Sequence, residues 1–319
     1  QRVAEGPVLR HPHQRLVDRR VAVRVPATTA NLGPGFDALG MALGLYNTVV
    51  AEPGDGPEVV VEGEGADRLP RDARNLVYRS AEEAARRIGG TLPPLRLRCA
   101  NAIPPARGLG SSSAAIVAGL MIGNALLGGS WSPEQVLATA AELEGHPDNV
   151  TPAVFGGLQV CVVDRGRVCH VAVPVERRLR VALFIPDVPM ATRGARRVVP
   201  RRVSLADAVH NLGRTALLVA AMATGRLDVL GVATQDRLHQ PPRAALFPAL
   251  PILLAAAMEH GALGAFLSGA GSTVAALVDE RGEMVAEAMA RTAAREGVTG
   301  RARVVEISQE GAHYIDGEA

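Results

Sequence analysis

Apolar and polar residues alternate along "VAVRV" (Val21 to Val25), and "YNTVVAEP" and "PEVVVEGEG" continue the strand-like pattern between Gly/Pro turns. From Arg74 to Gly90 the period changes. "RNLVYRSAEEAARRIGG" repeats its apolar residues at helical spacing and stops in two glycines. Leu95 to Ala100 alternates apolar with basic, the mark of a strand with one wet face. The apolar run "AAIVAGLMIGNALL" (Ala114 to Leu127) predicts a buried helix. A second helix runs from Ser132 to about Glu144, opened by a capping serine, a proline at the first helical position and an acid in the first turn. Leu158 to Val163 and Val168 to Val173 read as a hairpin around "DRGR".

Near Pro174 to Arg180 the character shifts. A strand (Val181 to Ile185) leads into an arginine-rich loop (Thr192 to Arg202), then alanine/leucine helices from Leu205 to about Leu230. The remainder reads as a strand (Ala265 to Ser268), a glycine turn, a strand (Thr273 to Val278), a helix (Gly282 to Arg295) and a strand (Arg303 to Ile307). No internal repeat or low-complexity linker interrupts it. This order predicts an α+β chain of two packed domains, 21–173 and 174–319, behind an N-terminal arm of residues 1–20.

Composition narrows the function. Hydrophobic residues make up 48% and aromatics 3%, so the core is built from Ala, Val and Leu. A net charge of +2 with interleaved signs, and few aromatics to stack on bases, argue against a nucleic-acid partner. All 34 basic residues are arginine, which excludes a phosphate-loop lysine, a Schiff base and a lysine general base together. Cys99, Cys161 and Cys169 lack CxxC spacing, lie in apolar strand-like surroundings and read as reduced core residues of a cytoplasmic protein. No apolar run reaches membrane-spanning length, and the first twenty residues lack the apolar segment of a signal peptide. "HPH" within them reads as part of a tail rather than a metal site.

The candidate chemistry centres on "PPARGLGSSSAA" (Pro104 to Ala115). Glycines let successive amides turn inward as an anion-binding nest, and the loop leads into the N-terminus of an apolar helix, where orphan N–H groups favour negative charge. The pattern GxxxxGK[ST] fails for want of lysine. GxGxxG fails at Ser113, and GxSxG fails at Ala114. Three further stretches gather glycine and polar groups: "PATTANLGPGFDALGMALGLYN" (Pro26 to Asn47), "EGHPDNVTPAVFGGL" (Glu144 to Leu158) and "GAFLSGAGSTVAAL" (Gly264 to Leu277).

Four such clusters in this order resemble the small-molecule kinases of the galactokinase, homoserine kinase, mevalonate kinase and phosphomevalonate kinase (GHMP) superfamily. "PPARGLGSSSAA" matches its ATP motif and "SGAGST" its C-terminal glycine motif. "PATTANLGPGFDALG", "GHPDNV", "TRGARRVVP" and "QPPRAALFP" are similar to the homoserine kinase family within it. The resemblance runs from about residue 20 to 307. It implies a ribosomal-S5-like N-terminal domain, a ferredoxin-like C-terminal domain, Mg-ATP as phosphoryl donor, L-homoserine as acceptor on the route to threonine, and a homodimer.

Site roles follow from the same resemblance. Pro104, Pro105, Ala106, Arg107, Gly108, Leu109, Gly110, Ser111, Ser112, Ser113 and Ala114 would wrap the triphosphate, and Asn75 matches a position near the adenine, where a plain helix cap is the competing reading. Ser112 and an acid, Glu144 with Glu142 in reserve, would hold Mg²⁺, an ion that takes one or two carboxylates and keeps most of its waters. Asp37 suits the acceptor's ammonium, and Asn31 its hydroxyl or amine end. Arg196 and Arg243 suit its carboxylate, which a planar guanidinium binds through both oxygens. Thr192 and His146 would line the same site. Asp148 is the candidate general base, with Asn149 orienting the hydroxyl as the alternative. Competing functions are a mevalonate-type alcohol kinase, against which the missing lysine counts, and a non-catalytic nucleotide-dependent sensor on the same fold.

Overall fold

The computed structural model describes residues 20–176 and 178–316, so all but the last residue of the predicted arm lies outside it. Two sheets organise the chain. The first contains β1 (Val21–Ala30), β2 (Leu39–Pro53), β3 (Glu58–Gly63), β4 (Leu95–Asn101), β5 (Leu158–Asp164) and β6 (Arg167–Val173). β2 is long enough to serve two neighbours: Leu39 to Met41 pair with β5, and Asn47 to Pro53 pair with β4. Helices α1 (Leu76–Ile88), α2 (Ser111–Leu126), α3 (Pro133–Glu144) and α4 (Pro147–Phe155) accompany this sheet.

Cap chemistry sets the helix limits. Asn75 accepts from the Val77 N–H to start α1, and Gly89 ends it in the left-handed region. Ser132 and Gln135 form a reciprocal capping box at the start of α3, with Pro133 at its first turn.

The second sheet is antiparallel, in the order β10 (Gly300–Glu306), β7 (Arg180–Pro186), β9 (Val274–Val278), β8 (Gly264–Leu267). With α10 (Gly282–Arg295) between β9 and β10, this is the split arrangement of a ferredoxin-like unit. Strand periodicity explains the continuous apolar runs of β7 and β9. Val181, Leu183 and Ile185 join the core shared with the first sheet, while Ala182 and Phe184 face a second core with Leu253 and Met289.

Cys99 and Cys161 are buried as expected, whereas Cys169 on the outer strand β6 is exposed. Other differences from the sequence reading bear on the site. The stretch Thr192 to Arg202, expected as a loop, opens with a short helix, α5 (Thr192–Arg197). Between the second sheet's first two strands, α6 (Leu205–Thr224) lies where a helix is expected, while α7 (Leu230–Ala233), α8 (Gln240–Ala244) and α9 (Leu250–Glu259) follow it unannounced. The chain then leaves the second unit after β10. Ile307 bridges to Leu43, and β11 (His313–Ile315) pairs with β1, so the end of the span 174–319 returns to the first sheet. Among the described residues, no helix is long and apolar enough to cross a membrane.

Candidate active site

A cleft of about 370 Å³ opens where the β1–β2 loop, the loop before α2 and the α3–α4 junction of the first unit meet α5, α8 and the β8–β9 turn of the second. Of the residues singled out from sequence, all but Pro104, Ser113 and Glu142 line it.

The loop before α2 is held by close backbone packing. Gly108 (φ +73°) and Gly110 (φ +68°) both lie in the left-handed region. A Cβ on Gly110 would sit 1.9 Å from Thr28 Oγ1, and one on Gly108 would sit 2.1 Å from the Ser268 carbonyl oxygen. Ser268 Oγ donates to the Gly108 carbonyl at 2.6 Å, clasping the loop from the second unit. No side chain caps α2, so its first-turn amides are free to meet an anion beside the cleft. Gly110→Ala is therefore expected to add about 1–3 kcal/mol of backbone strain besides the clash. A lower urea midpoint together with weakened nucleotide binding would show both effects.

Arg107 lines the cleft with its loop, and its side chain also serves the fold. Its guanidinium is buried and donates to the carbonyls of Pro186, Asp187, Pro105 and Ala106, tying the loop to the end of β7. Burial, the largest influence, lowers its pKa. Asn75 likewise spends its side chain on the fold: Oδ1 caps α1 and Nδ2 donates to the Pro70 carbonyl.

The two candidate metal acids separate cleanly. Glu144 accepts from Ser112 Oγ at 2.5 Å and from Ser113 Oγ at 3.2 Å. Glu142 points out of the cleft and pairs with Arg87 at 2.7 Å. Beyond Glu144, His146 Nδ1 lies 2.6 Å from Asp148 Oδ1, and Asn149 Nδ2 donates to the same oxygen at 3.2 Å. Thr28 Oγ1 donates to Asn149 Oδ1 at 2.8 Å. Burial alone would lower the His146 pKa; the Asp148 hydrogen bond and the Asp148 and Glu144 charges outweigh it and raise the value. Asp148 is 2% exposed, at the first turn of α4.

At the other end, Arg196 Nη1 donates to Asp37 Oδ2 at 2.8 Å and Nη2 to Oδ1 at 2.7 Å, a bidentate pair between the units. This hydrogen-bonded pairing raises the Arg196 pKa. Its neighbour Arg197 is exposed. Asn31 Oδ1 accepts from the Asp37 N–H, and Nδ2 donates to the Gly269 carbonyl, leaving one amide hydrogen for a ligand. Thr192 begins α5 at the cleft wall.

Arg243 is 2% exposed, yet its hydrogen bonds go to the Ala195 and Gly269 carbonyls and to His239, with no carboxylate among them. Burial first, and then the Arg196 charge, lower its pKa to about 10. A buried guanidinium that lines a cleft without an anionic partner calls for an anion from outside. Thr28, Ser268 and His239 had not been singled out from sequence; the signal for the first two was the tight glycine spacing opposite them.

Residues 75–157 match the GHMP kinases N terminal domain, and residues 218–295 match the GHMP kinases C terminal family. A protein named homoserine kinase from Desulfitobacterium hafniense is 44% identical over 296 residues, covering 92% of this chain and 100% of that one. The chain belongs to the homoserine kinase family of GHMP kinases. Another protein of that name, from Deinococcus radiodurans, is 49% identical over 264 residues, covering 83% of this chain and 86% of its own. The crystal structure of homoserine kinase from Cytophaga hutchinsonii superposes with a TM-score of 0.83 at 30% identity, covering 93% and 97% of the two chains. A mevalonate kinase from L. major shares the fold at 17% identity, with a TM-score of 0.68 over 89% and 95% of the chains.

Proposed function

We propose that this chain transfers the γ-phosphoryl group of ATP to the side-chain hydroxyl of L-homoserine, giving O-phospho-L-homoserine and ADP on the route to threonine. The observation that carries the reading is Arg243, buried and without an anionic partner, beside the Asp37–Arg196 pair. An amino acid entering there exchanges one ion pair for two. Its ammonium takes Asp37, and its carboxylate takes Arg196 and Arg243.

Its hydroxyl then lies toward Asp148 and Asn149, between the acceptor groups and the phosphate loop. The amides of Gly108 to Ser112 hold the β- and γ-phosphates. Phosphoryl transfer asks mainly for alignment and charge neutralisation, which fixed amides and arginines supply.

The residues also fit Mg²⁺. Glu144 and Ser112 Oγ bring a carboxylate and a hydroxyl to one point at the mouth of the loop, a hard-oxygen set suited to this ion. Among the described residues, no group of three or more His, Cys, Asp or Glu forms a cage, so phosphate oxygens and water would complete the shell. When bound, the ion neutralises phosphate charge.

Asp148 is assigned as the base that accepts the hydroxyl proton. Asp148→Asn keeps an acceptor for His146 and Asn149 but removes the proton acceptor, so kcat should fall by roughly 10²- to 10⁴-fold. A loss of only a fewfold would leave Asp148 as an orienting group and return the proton to the phosphate.

The reading is tested by ADP release with Mg-ATP against L-homoserine, L-serine, 4-hydroxybutyrate, mevalonate and galactose in parallel. Homoserine should be preferred by several orders of magnitude over 4-hydroxybutyrate, mevalonate and galactose, which leave buried charged groups unpaired, and by about 10- to 200-fold over L-serine, which keeps both charges and lacks one methylene. Turnover of mevalonate or galactose in its place would move the substrate assignment. We further propose that two copies associate, as the family resemblance implies; light scattering should give twice the chain's 33.3 kDa.

A further inference from the structure

His239 takes no part in the steps above, yet it touches both halves of the acceptor site. Its ring is completely buried at the N-terminal end of α8. Nδ1 lies 2.9 Å from Arg243 Nη1, and Nε2 lies 2.7 Å from the Gly33 carbonyl oxygen. Arginine can only donate and a carbonyl can only accept. The ring is therefore the neutral tautomer with its proton on Nε2: it accepts from Arg243 and donates to Gly33. Burial first, and Arg243 after it, lower its pKa against the opposing pull of Asp236, which agrees with this state.

The surroundings fix that ring tightly. Asp236 accepts from the backbone N–H groups of Leu238, His239 and Gln240, setting the backbone from which the imidazole projects. Asn211 donates to both Asp236 and the Pro34 carbonyl, giving the same turn a second link to the β1–β2 loop. The imidazole stacks on Phe36 with centroids 5.3 Å apart. Phe36 immediately precedes Asp37, and the Arg243 and Arg196 guanidinium carbons lie 5.4 and 5.5 Å from its ring centroid.

We propose that His239 is a positioning residue for acceptor recognition: it aims the Arg243 guanidinium at the acceptor's carboxylate and locks it to the loop that carries Asp37. The proposal rests on the homoserine reading above. Without His239, Arg243 keeps its bonds to Ala195 and Gly269 but loses the restraint on Nη1 that spans the two units. The spacing between the carboxylate-binding and ammonium-binding groups then loosens, while the nucleotide half of the cleft is untouched.

The test compares wild type, His239→Leu and His239→Gln on two acceptors, L-homoserine and 3-amino-1-propanol, the same molecule without its carboxylate. Losing one hydrogen bond to a charged group should raise the homoserine KM of His239→Leu by about 10- to 100-fold. The KM for ATP and the kcat/KM for 3-amino-1-propanol should stay within about threefold, so preference for the carboxylate-bearing acceptor collapses. His239→Gln, whose amide can both accept and donate, should recover most of it. Equal losses on the two acceptors, a glutamine variant no better than leucine, or unchanged kinetics would each overturn the proposal. If His239→Leu does not fold, His239→Asn supplies the comparison, because its amide is too short to span from Arg243 to Gly33. Wild-type turnover of homoserine with preference intact in the variants contradicts the role of His239 alone. Absence of wild-type turnover contradicts the substrate reading as well.

Discussion

Arg243→Met should raise the KM for L-homoserine by about 10²- to 10³-fold and leave the KM for ATP nearly unchanged, the size expected when one partner of a buried charged pair is removed. The guanidinium sits 2% exposed in the cleft wall with three neutral acceptors and no carboxylate of its own. Methionine preserves much of the volume, so the loss falls on charge and hydrogen bonding. Arg243→Lys should rescue little. A lysine ammonium cannot reach Ala195, Gly269 and His239 in the planar fork that also presents two N–H groups to a carboxylate. Since these groups also lose a partner, the urea midpoint should drop modestly in both variants, and kinetics at a fully folded denaturant concentration separates the two effects. A homoserine KM within threefold of wild type would remove Arg243 from the acceptor site.

A second large effect is expected at Glu144. Glu144→Gln should lower kcat by about 10³-fold and weaken the apparent affinity for Mg²⁺, since metal-held phosphate charge is worth several kcal/mol in the transition state. Ser112 Oγ at 2.5 Å already marks where a hydroxyl and this carboxylate converge. Glu142→Gln is the control. That residue lies outside the cleft in an exposed pair with Arg87, and such pairs contribute little, so activity should stay near wild type. Activity measured across a Mg²⁺ titration for the two variants decides it. Equal behaviour would return the metal assignment to the ambiguity left by sequence.

That ambiguity shows where sequence reasoning stops. Glu142 and Glu144 are two residues apart on α3, which puts them on different faces, and nothing local says which face meets the cleft. Features written in short-range chemistry were legible: the Ser132 cap, the glycine loop before α2, the helix Gly282 to Arg295, with Asn75 left open between a cap and an adenine contact. Features set by distant partners were not. Thr28 acquires its place through Asn149, 121 residues away, and His239 through Gly33, 206 residues away. β11 is three residues long, and its pairing with β1 is settled by packing across the whole chain rather than by its own pattern. α9 is almost wholly apolar, with no helical stripe to announce it. Arg196 and Asp37 are read from sequence as partners for the carboxylate and the ammonium that share the acceptor's α-carbon. Their bidentate pairing shows that two groups chosen for a zwitterion are also complementary to each other.

The most direct measurement is a crystal structure of the chain with L-homoserine and a non-hydrolysable ATP analogue with Mg²⁺. The acceptor's carboxylate is expected on Arg196 and Arg243, its ammonium on Asp37, and its hydroxyl beside Asp148 and Asn149 in line with the γ-phosphate. A carboxylate bound away from Arg243, or a hydroxyl turned from the phosphate loop, would contradict this placement.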